Sequence, residues 1–255
     1  MKYSGTLVYL ATLLPLLLDG SAFVVSPARP ASARRSNAKE APRYLRRGLN
    51  TPGQQQRALH ASNNWFTQFL TTPATKSGSE DAKVVELKQQ LLKTLRPTER
   101  GVSTSDEQRQ AIDALIAELE PFNPNAQAVT SESLSALWIL QWTTEREILF
   151  LMEKGLLGLR SGPVQQAIDV DARTLSNTML FGPDSFFDVS SSIDPEDSGP
   201  RVNFEFEACK LKYRGLTVPL PPVGKGWFES VYLDEDLRIT RDVRGDVTVL
   251  LKSRD

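Results

Sequence analysis

The chain has 255 residues, 40% apolar and 24% charged, with a net charge of −1, enough to bury a substantial core as one large domain or two small ones. Its one cysteine, Cys209, rules out an intrachain disulfide framework and a thiolate metal site, and its only histidine, His60, lies near the N-terminus. Ser-His-Asp chemistry, Cys-His chemistry and imidazole metal ligation are thereby excluded from the body of the chain. The reading is a non-enzymatic protein with no cofactor.

Charge is unevenly spread. Residues 1–60 hold nine Lys/Arg against Asp19 and Glu40, a charge of +7, and 61–255 carry −8. An acidic body lacks the clustered positive surface that nucleic acid requires. At the start, Lys2, an apolar run over 7–18 and the small residues Gly20, Ser21 and Ala22 have the three-part layout of a secretory signal over 1–22. The other reading of that run is an N-terminal anchor, for which it is short. Residues 23–61 are rich in Arg, Ser, Ala and Pro and nearly free of acid, which is transit-peptide composition. Ser21-Ala22-Phe23 followed by such a segment resembles the bipartite presequence of algae whose plastids lie inside extra membranes, and that resemblance implies a plastid destination.

Residues 65–69 are an aromatic patch, and 62–79 read as a linker. Over 80–95, Val84, Leu87 or Lys88, Leu91, Leu92 and Leu95 recur at helical spacing until Pro97. A second helix is signalled by Ser105 with Gln108 as a capping box and by the stripe Ile112, Leu115, Ile116 and Leu119, closed by Pro121 and Pro124. Residues 138–144 read as a strand with Trp138, Leu140 and Trp142 on one face, and 145–154 as a short helix capped by Gly155.

Strands are then expected over 164–170, 173–181 and 185–189, with a polar loop over 193–200. Val202, Phe204, Phe206 and Ala208 alternate with polar residues as a half-buried strand. Pro219 to Pro222 suggest a rigid loop. The chain closes on a meander in which Phe228, Ser230 and Tyr232 alternate with Glu229, Val231 and Leu233. Asp234-Glu235-Asp236 suit the first turn, and Gly245 serves a second with φ > 0. About eight strands follow two or three helices. The fold class is α+β, mainly β: one domain over 80–255, with helices at 80–120 and an antiparallel barrel at 134–252.

Trp227, then the run Tyr232-Leu233-Asp234-Glu235-Asp236-Leu237-Arg238-Ile239, then Arg244-Gly245, resembles the C-terminal block of the plastid lipid-associated protein family, the plastid fibrillins. Arg100-Gly101-Val102-Ser103 and Leu119-Glu120-Pro121-Phe122-Asn123-Pro124 resemble the family's N-terminal block. Where family members begin the first strand with a Gly-Lys-Trp similar to the Gly-x-Trp start of lipocalins, this chain has Ala136-Leu137-Trp138. The resemblance implies a lipocalin-like barrel in the chloroplast that binds carotenoids, prenylquinones or acyl lipids at thylakoids or plastoglobules.

Trp138, Leu140, Trp142, Phe204, Phe206, Trp227, Phe228 and Tyr232 are then candidates to line its cavity. Inward aromatics serve equally as solid core, and a coat protein of plastid lipid bodies with a filled barrel is the alternative. Asp234 to Asp236 suit a solvated turn better than a carboxylate site, since three consecutive residues cannot all face one centre. Structural roles are expected for Asp236, as a turn cap or an ion pair with Arg238 or Arg241, for Arg238 and for Gly245. Cys209 reads as a buried, inert thiol.

Overall fold

A computed structural model describes residues 79–126, 131–182 and 184–254. The expected signal and transit segments, the patch at 65–69 and all of the expected linker except Ser79 lie outside them.

Helix α1, Ser79–Leu95, and helix α2, Asp106–Leu119, form as their apolar spacing dictates, and Leu87, Leu91, Leu92, Ile112 and Ile116 are buried. The capping box of α2 is complete: the Gln108 amide donates to Ser105 Oγ at 3.2 Å, and the Ser105 amide to Gln108 Oε1 at 2.9 Å. Between the helices Glu99 and Arg100 take positive φ, and Gly101 follows at φ +114°. A Cβ on Gly101 would lie 2.3 Å from the Thr143 carbonyl oxygen. Glycine is required because this turn rests directly on a strand backbone. A four-residue helix α3, Ser131–Leu134, precedes the first strand.

The strands are β1 Ala136–Thr143, β2 Val164–Asp169, β3 Thr174–Leu180, β4 Phe186–Pro195, β5 Arg201–Tyr213, β6 Leu216–Leu220, β7 Lys225–Leu233, β8 Leu237–Asp242 and β9 Val247–Lys252. Helix α4, Arg146–Lys154, lies between β1 and β2 and ends at Gly155, φ +70°. All pairings are antiparallel. Eight strands close a barrel in the order β1-β2-β3-β4-β5-β7-β8-β9, with β9 returning to β1. Closure satisfies the backbone groups that an open sheet would leave at its edges.

Strand β6 stands outside the ring, paired only with residues 209–213 of β5. The sequence suggested a loop here because of Pro219; on an edge strand the missing N–H costs no ladder bond. Strand β4 likewise runs through Pro195, into what read as a polar loop, with Phe187, Val189, Ser191 and Ile193 buried at alternate positions.

Three bulges decide which way the side chains point. The register slips by one residue at Gln141 in β1, at Val231 in β7 and at Glu207 in β5. Trp138 and Leu140 face the interior, but Trp142 turns outward beneath the helices, so the three do not share a face. Tyr232 is turned outward in the same way. In β5 the slip ends the alternation begun by Val202, Phe204 and Phe206, so that Cys209 and Leu211, not Ala208, continue the inward row.

Helices α1 and α2 lie on the outer surface of β7, β8 and β9, packed against Val231, Leu237, Ile239, Val249 and Leu251. Inside the barrel are two further apolar clusters. Leu140, Met179, Phe187, Val189 and Cys209 gather beneath α4, while Trp138, Ile168, Val202, Phe228 and Leu250 gather at the α3 end.

Candidate functional site

A cavity of about 140 Å³ lies inside the barrel. Its walls are apolar toward α4, where Leu151, Met179, Phe187 and Val189 meet Phe206. It opens beside the first turn of α4, where the Glu145, Asp242 and Arg244 side chains remain 20%, 24% and 31% exposed.

Between the two apolar clusters runs a polar belt. Gln166 on β2 is opposite Asn177 on β3, and its Nε2 donates to Asn177 Oδ1 at 2.7 Å. Gln166 Oε1 accepts from Arg238 Nη1. Arg238 is 1% exposed, its guanidinium 4.7 Å from the Phe228 ring centroid and 5.8 Å from that of Trp138. Burial pulls its pKa down to about 9, which leaves it charged at neutral pH.

At the mouth the balance is acidic. Arg244 reaches Glu147 at 2.8 Å, Asp246 at 3.0 Å, Asp242 at 3.3 Å and Glu145 at 3.9 Å. One cation faces four carboxylates. Burial, followed by the charges of Asp242 and Asp246, pushes Glu145 up to about 7, against the Thr248 hydroxyl and Arg244, which favour its charged form. Among the described residues no three His, Cys, Asp or Glu converge as a metal site.

The eight aromatic and aliphatic candidates divide into four placements. Phe204, Phe206 and Phe228 line the cavity, with ring centroids 5.2 Å apart for Phe204–Phe206 and 6.4 Å for Phe204–Phe228. Trp138 and Leu140 face inward as core around it; the Trp138 indole donates to the Leu134 carbonyl at 2.9 Å. Trp142 and Tyr232 pack on the helix side: Trp142 Nε1 donates to Thr104 Oγ1 at 3.1 Å, and the Tyr232 hydroxyl to Asp234 Oδ2 at 2.8 Å. Trp227 lies on the outer surface with the Arg201 guanidinium 4.1 Å from its ring centroid.

Asp236 pairs with Arg254 at 2.8 Å, not with Arg238, which faces the cavity, or with Arg241, which reaches Glu120 at 3.9 Å. Asp234 is the residue that caps the turn, its Oδ1 accepting from the amides of Asp236 and Leu237 at 2.9 and 2.8 Å. Gly245, φ +83°, stands in the second turn as its sequence suggested, with its amide on the Asp242 carbonyl at 2.9 Å. Burial, aided by the charge of Asp188, pushes the Cys209 thiol up to about 12, so it is not a thiolate at neutral pH.

Gln166, Asn177, Thr240 and the inward role of Arg238 were not apparent from the sequence. On β8 the run Leu237-Arg238-Ile239-Thr240 looks half-buried, with its apolar residues inward. In the fold those apolar residues face the helices, and Arg238 and Thr240 face the cavity. All four are buried. The one available signal was polar residues at inward register positions, which needs the pairing to be known.

An eight-stranded antiparallel barrel enclosing a partly polar cavity defines a lipocalin-like protein. The PAP_fibrillin family model matches residues 85–251, and the chain belongs to this plastid lipid-associated protein family. It is 42% identical over 166 residues to probable plastid-lipid-associated protein 11, chloroplastic, of Arabidopsis thaliana, covering 64% of this chain and 77% of that one. A light-induced chloroplastic protein of Solanum tuberosum is 29% identical, with 68% and 69% covered. The chromoplast-specific carotenoid-associated protein C1 of an Oncidium hybrid cultivar is 26% identical, with 91% and 96% covered. No solved structure matches significantly. These relatives are chloroplastic or chromoplastic, and this is a plastid protein.

Proposed function

We propose that the barrel takes up part of a hydrophobic molecule and holds it at the thylakoid or plastoglobule surface. The observation that carries this reading is the cavity itself, apolar under α4 and open beside it. Removing apolar surface from water yields roughly 25 cal/mol per Å², so a ring or chain end can be held by burial alone. About 140 Å³ suits such an end, so a long isoprenoid would be gripped at its terminus. The Oncidium relative is carotenoid-associated by name, which supports an extended apolar guest.

Contact with the lipid surface is assigned to the end of the barrel where Leu157 and Leu216 are 38% and 67% exposed. Tyr213 connects them: its hydroxyl donates to the Leu157 carbonyl at 3.3 Å, and it pairs with Leu216. Because the body is acidic, this contact is hydrophobic and resists salt.

The test is recombinant protein titrated with a prenylquinone and a carotenoid, read by quenching of tryptophan fluorescence, with extraction and mass spectrometry of copurified lipid. Saturable quenching is expected. No copurified lipid and no saturable binding of either probe would leave the barrel as a filled scaffold, which is the coat-protein alternative.

A further inference from the structure

Arg238 is a buried cation with no acid opposite it among the described residues. Its Nη1 is engaged by the neutral Gln166, its Nε makes no hydrogen bond among the described residues, and no described carboxylate lies within ion-pair distance. The acids nearest along the cavity wall belong to the mouth, where Arg244 already faces them. A guanidinium removed from water without a counter-charge costs several kcal/mol. Leu or Met would fill the same space between Phe228 and Trp138 without that cost.

We propose that Arg238 anchors the carboxylate of a fatty-acid-like guest, with its head at the Arg238–Gln166–Asn177 belt and its chain against Phe206, Met179 and Val189 beneath α4. This deepens, and rests on, the reading of the barrel as a binding cavity. A carboxylate brings the single negative charge that the guanidinium lacks and matches its planar fork. A quinone carbonyl or a hydrocarbon end would leave the charge uncompensated. The direction of entry follows from the mouth, where Glu145 and Asp242 line the wall and, together with Glu147 and Asp246, share Arg244, which disfavours an anionic head. The head goes deep, and Thr240, inward on the same strand between Arg238 and Asp242, stands on its way.

The experiment compares decanoate with methyl decanoate by calorimetric titration of the recombinant full chain, and repeats both with Arg238→Met. The wild type is expected to bind the acid about ten-fold or more tightly than the ester, one charge-assisted contact being worth that much. Arg238→Met is expected to bind the ester within about three-fold of wild type and to lose the preference for the acid. Equal binding of acid and ester by the wild type overturns the inference while leaving the cavity reading intact, and it requires no variant to fold. An acid preference that survives in Arg238→Met also overturns it. If neither compound binds, this assignment fails, and the prenylquinone and carotenoid titrations decide whether the cavity reading fails with it.

Discussion

Lys88 Nζ on α1 lies 2.5 Å from Asp234 Oδ2 in the turn between β7 and β8, linking residues 146 apart in sequence. The side chains are only 9% and 18% exposed. Because Asp234 also receives the Tyr232 hydroxyl and two turn amides, one carboxylate holds the helical layer, strand β7 and the turn together.

Burial works against the Asp234 charge, but Lys88 and the hydrogen bonds outweigh it and hold the carboxyl below its usual range. A depressed folded pKa contributes stability above the unfolded value of about 3.9 and loses it as pH falls through the folded one. Asp234→Asn is therefore expected to cost about 3 kcal/mol at pH 7, since a buried pair loses one partner. Urea unfolding should show that gap narrowing as pH drops below about 4.

Glu145 has the opposite sign. Its carboxyl is raised to about 7, so ionisation costs the folded state, with no cost below the unfolded pKa of about 4.3 and the full cost above 7. Wild-type protein should gain stability as pH falls from 8 to 5. Glu145→Gln should be more stable than wild type by roughly 1–2 kcal/mol at pH 8, the gain being limited by the remaining exposure, and close to it at pH 5. Equal differences at both pH values would contradict the buried-acid assignment.

Two glycines with positive φ should respond differently to alanine. At Gly101 a Cβ would meet the Thr143 carbonyl oxygen at 2.3 Å, whereas at Gly245 nothing lies within 4 Å. Gly245→Ala should cost about 1 kcal/mol, the backbone penalty alone. Gly101→Ala should exceed about 3 kcal/mol, because strand backbone cannot move aside. Denaturant midpoints at constant m would measure both.

Trp142 separates stability from binding. Trp142→Phe removes the indole N–H that reaches Thr104 and should cost about 1–2 kcal/mol. Guest affinity should be unchanged, since the side chain lies beneath α2 and outside the barrel. Phe206→Ala alters the cavity wall, and a carotenoid or prenylquinone titration should register it.

The local features were legible in the sequence. Ser105 and Gln108 form their capping box, Gly155 ends α4, and Gly245 takes its turn, each governed by neighbours within four residues. Alternation correctly marked Phe204, Phe206 and Phe228 as inward. It failed at Trp142 and Tyr232, where a single extra residue in one strand reverses every later side chain. Alternation has no purchase on β8, which is covered on both faces, so neither face shows the polar pattern of one open to water.

By itself, then, the sequence determined the helix ends, the turns, most of the strands and the family. The first three depend on backbone preference, periodicity and short-range hydrogen bonds that a few consecutive residues carry, and the family on the identities of the residues themselves. Tertiary structure alone decided that Arg238 faces the cavity and that Asp234, not Asp236, is the tie to the helices. Both outcomes depend on strand register and on helices packed across the sheet, contacts made between residues 72 and 146 positions apart.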